Sequence, residues 1–311
     1  MDFKQLKAFL AVADLGNVTK AAELLHLVQP AVSRQIRLLE EDVGRPLFVR
    51  ERYGMVLTDA GHALVDYARR AMLELDRARA EIASTGEEVG GLVTIGLLPS
   101  TVEVLASPLV AAVKARFAAV RVRIAMGYAG TLMRWLESGE VDAALLYGPE
   151  HAAGLEVRPL VREPLWVVGS QASGLRQERP TPLRALVGQP LILPSPSHGI
   201  RSLVDHACAI HEVALTISAE TNALSVQRSL VLGGHGLTIL PPIAVAEDLR
   251  TGQLRGSPLA EPAIDRSIVL ALSSQRTAGL HVQHTLQLLE QCVAQAVASG
   301  AWPQAQAPGR A

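Results

Sequence analysis

The chain has 311 residues, of which 49% are hydrophobic and 19% are charged, and its net charge is −1. This length exceeds what one hydrophobic core usually supports, so we expect at least two domains. The composition excludes an intrinsically disordered chain, and the near-zero charge excludes binding of a polyanion by bulk charge alone. No apolar run approaches a membrane span of roughly 18 residues, and no signal peptide is recognisable. Cys208 and Cys292 form no disulfide framework. We therefore expect a cytoplasmic protein without a membrane segment.

Three helices are predicted within the first 42 residues. Apolar residues recur at helical spacing over 3–13. A second, short helix follows Gly16, with Asn17 as its capping residue. The third helix begins near Pro30, because proline is favoured in a first helical turn. The tight connection between the second and third helices predicts a helix-turn-helix.

The third helix has two opposite faces. Val32, Ile36 and Leu39 fall on one side of a helical wheel and predict an apolar face. The other side carries Pro30, Ser33, Arg34 and Arg37. An ordinary solvated face gives the same pattern, but after a helix-turn-helix it also suits the major groove of DNA. Residues 1–58 carry eight basic and seven acidic groups, a net charge of +1. DNA binding by this segment therefore depends on where its arginines lie.

A basic hairpin is predicted directly after the third helix. The segments PLFVR and MVLT are β-prone and flank the turn sequence ERYG. The hairpin carries Arg50 and Arg52. Such a wing beside an exposed helix would supply contacts to DNA phosphates.

A long helix is predicted over 59–88, with Thr58 as its cap. At 1.5 Å per residue it is roughly 40 Å long. Its apolar residues recur at steps of three and four: Leu64, Tyr67, Ala71, Leu75, Ala78 and Ile82. This stripe needs a second surface, which is either its own domain or the same helix of another subunit. A hinge is predicted at 89–91.

Strand and helix segments alternate over 92–298, which predicts an α/β domain with parallel strands. Its length suffices for two lobes, lobe I over about 92–161 and 267–298, and lobe II over about 162–266. The Pro/Ala/Gly-rich tail 299–311 is predicted to be disordered.

A small ligand would bind off the carboxyl ends of these strands, near helix N-termini. Unpaired N–H groups and hydroxyls at such positions favour an anion, for example a carboxylate, although plain helix capping uses the same residue types. The candidate residues are Ser100, Thr101, Gly130, Thr131, Tyr147, Ser195, Ser197, His198, Arg201, Asn222, His235 and Gly236.

Residues 1–65 resemble the winged helix-turn-helix of LysR-type transcriptional regulators. The matching stretches are AAELLHLVQPAVSRQIRLLEEDVGRPLFVR and LTDAG, and the resemblance continues along the whole chain. It implies that the α/β part is a two-lobed, periplasmic-binding-protein-like domain that closes on an effector. It also implies a homodimer or homotetramer paired through the long helices, and RNA polymerase as a partner. The stretches ALLYGP and SPSHGIRSLVD are further similar to the subgroup of nitrogen assimilation control proteins.

The resemblance also implies which residues contact DNA. The bases and nearby backbone would be faced by Gln29, Pro30, Ser33 and Arg34. Arg52 would reach phosphate or the minor groove. Two positions depart from the family pattern. Val28 stands where a serine is usual, and Tyr53 stands where the wing often has a second basic residue. The full predicted set is Asn17, Lys20, Gln29, Pro30, Ser33, Arg34, Arg37, Arg50, Arg52 and Tyr53.

Metal and enzyme chemistry are not indicated. The helical spacings of His206, Cys208 and His211 do not converge on one metal ion, and His281 and His284 lack a third ligand. No GxSxG, HExxH, Walker or GxGxxG signature stands in its expected context. We therefore predict no metal, no cofactor and no enzymatic activity.

The sequence predicts a transcription regulator that binds an inverted repeat in double-stranded promoter DNA and responds to a small polar, anionic metabolite. One alternative is a ligand sensor or storage protein whose N-terminal helices serve only dimerisation. The other is an α/β enzyme fused to a DNA-binding domain.

Overall fold

The computed structural model of the chain describes residues 1–52, 54–83, 89–148, 154–274 and 278–307. These residues form two compact units, one from Met1 to Gly91 together with Glu137–Glu140, and one that holds the rest. Of the features predicted above, Tyr53 and the part of the long helix over 84–88 lie outside the described residues. No helix in the described ranges combines the length and the apolar character needed to cross a lipid bilayer.

Three helices open the first unit, α1 (Phe3–Leu15), α2 (Val18–Leu24) and α3 (Gln29–Val43). Side-chain caps fix where the first two begin. Asp2 accepts a hydrogen bond from the Gln5 N–H of α1 in a capping box, and such caps satisfy N–H groups that have no partner inside the helix. The helices bury one common core, made of Leu6, Phe9, Val12, Ala21, Ala22, Val32, Ile36 and Leu39.

The hairpin that follows consists of β1 (Phe48–Glu51) and β2 (Gly54–Leu57), which pair antiparallel. Its second strand is tied to the turn between α1 and α2, because the Met55 N–H donates to the Gly16 carbonyl at 2.8 Å. A Cβ at Gly54 would lie 2.3 Å from that same carbonyl oxygen. Glycine is therefore required at this close approach of two backbones.

The long helix α4 (Asp59–Ala83) begins as predicted, since the Thr58 hydroxyl accepts from the Gly61 N–H at 3.0 Å. It joins the core of the first unit through Val65 and Ala68, which are buried, and through Met72.

Leu64 of the predicted apolar stripe also packs on this core, but the rest of the stripe that the structure describes lies on a different face of α4. Tyr67, Ala71, Leu75 and Ala78 are exposed, and Tyr67 is 67% exposed. Both sets recur at steps of three and four, so helical spacing alone did not tell which set packs on the helix's own domain.

Lobe I of the second unit consists of β3 (Gly91–Leu97), α5 (Val102–Arg116), β4 (Val120–Met126), α6 (Ala129–Ser138), β5 (Ala143–Tyr147), β6 (Leu155–Pro164), and later β13 (Asp265–Ser273) and α10 (Leu280–Ala298). Its five strands have the order β4-β3-β5-β13-β6. The central strands are apolar because helices cover the sheet, and residues 143–146 are all buried.

Lobe II consists of β7 (Trp166–Ser170), β8 (Thr181–Pro182), β9 (Pro190–Leu193), α7 (Gly199–Ile210), β10 (Thr216–Glu220), α8 (Leu224–Leu232), β11 (Thr238–Leu240), α9 (Ala246–Thr251) and β12 (Leu254–Ala260). The strands form one sheet of order β11-β7-β12-β8 and a pair β10-β9. The predicted two-lobed α/β class is confirmed.

The strands are not all parallel, contrary to the prediction. β3 and β5 are parallel, as are β9 and β10, but β13 runs antiparallel to both β5 and β6. The reason is that the chain leaves lobe I on β6 and returns beside it on β13. The two connections between the lobes therefore lie next to each other, and Leu165 N–H bonds to the Ile264 carbonyl there at 2.8 Å.

The tail prediction was wrong for residues 299–307. Trp302 is 1% exposed, and its indole N–H donates to Glu163 at 2.7 Å. The Gln306 N–H also donates to the Arg162 carbonyl at 2.8 Å. Composition favoured disorder, but the buried Trp302 ring and these hydrogen bonds to residues of β6 hold the segment in place.

Candidate functional site

The two faces of α3 separate as its sequence predicts. Val32, Ile36 and Leu39 are at most 5% exposed and pack in the core of the first unit. The opposite face is exposed at Gln29, Pro30, Arg34 and Arg37, and half-buried at Ser33. Burial of the apolar face anchors the helix, so the polar residues are presented outward on a fixed support.

The start of α3 lacks a side-chain cap. Val28 occupies the cap position, makes no side-chain hydrogen bond and is 69% exposed. The amide of Gln29 donates to the Ser33 hydroxyl at 3.2 Å, one turn further on. Further along the same face, Arg37 lies 3.5 Å from Glu41. Since both side chains of that pair are well exposed, the interaction is weak and Arg37 can exchange it for another anion.

Asn17 is a structural cap. Its Oδ1 accepts from the N–H groups of Thr19 at 2.8 Å and Lys20 at 3.1 Å, which confirms the predicted helix start. Lys20 itself is exposed. A contact of either residue with DNA stays a prediction.

The wing is held in place by a residue that the sequence reasoning missed. Glu40 of α3 accepts from the Leu47 N–H at 2.7 Å and the Phe48 N–H at 3.3 Å. This carboxylate joins the end of α3 to the first strand of the hairpin. Arg50 and Arg52 are both exposed on that strand and the following turn. The first unit thus places basic side chains on α3 and on the wing.

A cleft lies between the two lobes of the second unit and contains about 340 Å³ of unoccupied space, part of it open to solvent. Four of the predicted ligand-binding residues line it, namely Ser100, Tyr147, His198 and Asn222. Tyr128 and Arg266 also line it, and the sequence reasoning missed both. The strand ends of both lobes meet here, as expected for α/β sheets.

The other predicted residues do not line the cleft that the described residues form: Thr101, Gly130, Thr131, Ser195, Ser197, Arg201, His235 and Gly236. Two of them make contacts that stabilise the fold. The Thr101 hydroxyl donates to the Leu98 carbonyl at 2.9 Å. Arg201 bonds to Asp205 and Glu220 and to the Pro194 carbonyl. Capping and loop-tying residues have the same polar chemistry as ligand-binding residues, so sequence position did not separate them.

Asn222 lines the cleft and also stabilises the loops at its edge. Its Oδ1 accepts from the Ser195 N–H at 2.9 Å, and its Nδ2 donates to the Ser195 hydroxyl at 2.9 Å. The loop after β9 is thereby fixed to the loop before α8.

Arg266 is the central charged group of the cleft and is 3% exposed. Its Nε lies 2.6 Å from Glu163 Oε1, which is directly opposite on β6, and its Nη2 donates to the Ser100 hydroxyl at 3.0 Å. Its Cζ lies 4.5 Å from the centroid of the Tyr147 ring. Burial opposes the charged guanidinium, but the Glu163 carboxylate outweighs it, so the pKa of Arg266 lies above its ordinary value.

The third nitrogen of this guanidinium, Nη1, differs from the other two. Arg266 Nη1 is buried and has no hydrogen-bond partner among the described residues. Tyr147 helps to raise the pKa of Arg266, but it makes no hydrogen bond to Nη1. Buried N–H groups are nearly always paired in folded proteins. An unpaired one in a cleft therefore indicates a place for an acceptor.

His198 faces the two tyrosines of the cleft. Its ring centroid is 5.4 Å from that of Tyr128 and 6.3 Å from that of Tyr147. Burial, aided by the positive charge of Arg266, lowers the pKa of His198 to about 4. The ring is neutral at pH 7. Its Nδ1 accepts from the Ile200 N–H at 3.2 Å, so its proton lies on Nε2.

No group of three or more His, Cys, Asp or Glu side chains able to hold a metal ion occurs in the part of the chain that the structure describes. Cys208 is half-buried, Cys292 is buried, and burial raises the pKa of both thiols.

An exposed polar helix with a basic wing, joined to a two-lobed domain with a cleft around a buried arginine, defines a DNA-binding transcriptional regulator with an effector-binding domain. Residues 3–62 match the family model described as "Bacterial regulatory helix-turn-helix protein, lysR family". Residues 86–293 match the "LysR substrate binding domain". The chain belongs to the LysR family of transcriptional regulators, as its sequence resemblance predicted.

Relatives are similar along almost the whole chain. The nitrogen assimilation regulatory protein nac of Escherichia coli is 29% identical over 93% of this chain and 94% of its own length. The HTH-type transcriptional regulator BbuR of Bordetella bronchiseptica is 30% identical over 97% of this chain and 93% of its own.

The fold is shared with solved structures of full-length regulators. CbnR, a LysR family transcriptional regulator, has a TM-score of 0.71 at 22% identity, covering 94% of this chain and 99% of that chain. A structure of CbnR complexed with its target DNA has a TM-score of 0.70, covering 95% of this chain and 99% of that chain.

Proposed function

We propose that this regulator binds an inverted-repeat site in promoter DNA as a dimer or tetramer and that a small anionic metabolite in its cleft changes how it binds. The outward-facing polar stripe of α3 is the observation that carries the DNA-binding part. Gln29 and Arg34 have the side chains that read adenine and guanine edges by paired hydrogen bonds. Arg37, Arg50 and Arg52 supply positive charge for phosphates.

The exposed stripe of α4 supports a symmetric assembly. Tyr67 and Leu75 are large apolar side chains that remain exposed in the single chain, and pairing with a second copy would bury them. Two recognition helices related by a two-fold axis match an inverted repeat. Because promoter DNA is the proposed target, we expect the protein to act in the cytoplasm, with RNA polymerase as a further partner.

The proposed switch requires that the ligand bind one arrangement of the protein better than another. Closure of the two lobes on a ligand is the change we expect. Footprints on the target promoter with and without a saturating ligand would then differ in length or in DNA bending. Identical footprints would contradict the switch but not the DNA binding.

The DNA-binding part is tested with Arg34→Ala in electrophoretic mobility shifts on the upstream region of the gene and on random DNA of equal length. We expect discrimination between the two DNAs to fall by about 1–3 kcal/mol, because a base contact is lost. The matched control is Lys7→Ala, which removes one exposed positive charge from α1, and it should leave discrimination unchanged.

Salt dependence separates the proposal from a protein whose N-terminal helices only dimerise. Phosphate contacts release counterions, so the affinity should fall steeply with salt. Equal weakening of Arg34→Ala on both DNAs would count against base reading. A flat salt dependence would exclude the wing as a phosphate-binding element.

A further inference from the structure

The cleft is rich in donors and poor in negative charge. None of its lining residues is an Asp or a Glu among those the structure describes. Glu163, the carboxylate in contact with Arg266, is itself fully buried behind the cleft and already receives two nitrogens of that arginine. The buried Nη1 of Arg266 has no partner in the described chain, and an unmade hydrogen bond of a charged group is costly.

Two further donors lie in the same lining. The Ser100 hydroxyl accepts from Arg266 Nη2 at 3.0 Å, so its own proton is available to another acceptor. The neutral imidazole of His198 carries its proton on Nε2, since Nδ1 accepts from Ile200. The cleft thus offers three donors to a ligand: Arg266 Nη1, the Ser100 hydroxyl and His198 Nε2.

Most of the remaining lining is apolar or aromatic, and its two amides are engaged elsewhere, Asn222 with Ser195 and Gln227 with Thr238. Leu224, Leu240 and Pro241 lie on the lobe II side, and the rings of Tyr128 and Tyr147 flank His198. Such a lining excludes water around a ligand body and fixes its orientation through the few polar groups.

From this arrangement we infer that the ligand is a monocarboxylate with a small apolar or aromatic body, and that Arg266 Nη1 and the Ser100 hydroxyl bind its carboxylate. One anionic group is expected rather than two, because Glu163 already balances the only cation in the described lining. The inference rests on the proposed effector function and adds the ligand class and the residue that selects it.

Trp302 is a positioning residue in this scheme. Its indole N–H donates to Glu163 Oε2 at 2.7 Å, while Glu163 Oε1 holds Arg266. The carboxylate is therefore fixed from both sides, and it fixes the guanidinium with Nη1 left for the ligand. Hydrogen bonds from outside a site orient the side chains that bind, as they do for the side chains that coordinate a metal ion.

The test compares carboxylates with their amides on the full-length protein. The probes are acetate with acetamide and benzoate with benzamide, with succinate as a dianion, and dissociation constants come from calorimetry and thermal shifts. We expect the better-fitting carboxylate to bind about ten- to a hundredfold more tightly than its amide, the factor given by a charge-assisted hydrogen bond. Equal affinity for carboxylate and amide, or no binding of either monocarboxylate, would overturn the inference.

Variants assign the selectivity to residues. Arg266→Lys keeps a cation for Glu163 but offers no second terminal nitrogen, so the carboxylate-to-amide ratio should fall at least tenfold. Ser100→Ala should lower it less, and Trp302→Phe less again, while the phenyl ring keeps the packing. Arg250→Lys and Ser229→Ala change exposed residues outside the lining and are the matched controls. An unchanged ratio in Arg266→Lys would remove Arg266 from recognition.

Failure of the inference and failure of the proposed function give different results. If an uncharged compound changes the promoter footprint and no carboxylate binds, the effector function stands and the inference falls. If carboxylates bind with the expected ratio but the protein shows no preference for its promoter, the regulator function fails while the ligand class stands.

Discussion

The recognition stripe of α3 and the cleft between the lobes are built in opposite ways. The stripe lies within nine residues of one helix, 29–37, and helical periodicity alone orients it. The cleft joins Arg266 to Ser100, 166 residues away, and to Glu163, 103 residues away. The stripe is an exposed surface on a buried support, whereas Arg266 is itself buried. The charge of an arginine is therefore stabilised by water on α3 and by buried protein partners in the cleft.

The largest expected effect follows from the burial of the cleft arginine. Arg266→Ala leaves Glu163, 0% exposed, without its cation, and we expect the free energy of unfolding to fall by about 3–5 kcal/mol in urea denaturation. The double variant Arg266→Met, Glu163→Gln removes both charges and should cost much less than the single change. Removal of the exposed Arg250–Glu247 pair is the control and should leave the transition in place. A mild effect of Arg266→Ala would place Arg266 in contact with water.

The next effect is a dependence of stability on pH. Folded His198 protonates only at about pH 4, whereas in the unfolded chain it protonates near 6.5. Between these values the unfolded state binds more protons, so stability falls as the pH is lowered from 6.5 to 4. The full shift corresponds to roughly 3 kcal/mol, and solvent around the half-buried ring reduces it.

His198→Asn isolates this contribution in thermal melts at pH 7 and pH 5. Asparagine keeps the cap on Ile200 and cannot take up a proton, so the loss of stability at pH 5 should become smaller than in the parent protein. His235→Gln changes an exposed imidazole outside the cleft and should leave the difference unaltered. If His198→Asn has the parent's pH profile, the ring is not shielded by the cleft.

The smallest effect separates capping from DNA contact on the first unit. Asn17→Ala removes the side chain that accepts from Thr19 and Lys20, so stability should fall by about 1 kcal/mol, and Asn17→Ser should restore most of it. Arg34→Ala is the control, because it changes an exposed side chain and should alter stability by less than about 0.5 kcal/mol. If Asn17→Ala keeps the stability of the parent protein but binds DNA less well, the main role of Asn17 is DNA contact and not capping.

Much of this molecule follows from the sequence alone. The helix-turn-helix, the wing, the long helix and the alternation of strands and helices were all predicted, because each depends on spacing within some 20 residues. The cap at Asn17 was likewise readable, since capping is a local interaction between a side chain and the next turn.

Only the tertiary structure decided which polar residues form the cleft. Ser100 lines it and Thr101 does not, although they are neighbours with similar chemistry, because the fold turns one hydroxyl towards Arg266 and the other towards Leu98. Arg266 and Glu163 face each other through the register of two antiparallel strands, and Trp302 reaches them from a segment whose composition suggested disorder. Pairing across such distances leaves no periodic pattern in the chain, because it is fixed by the packing of the whole domain.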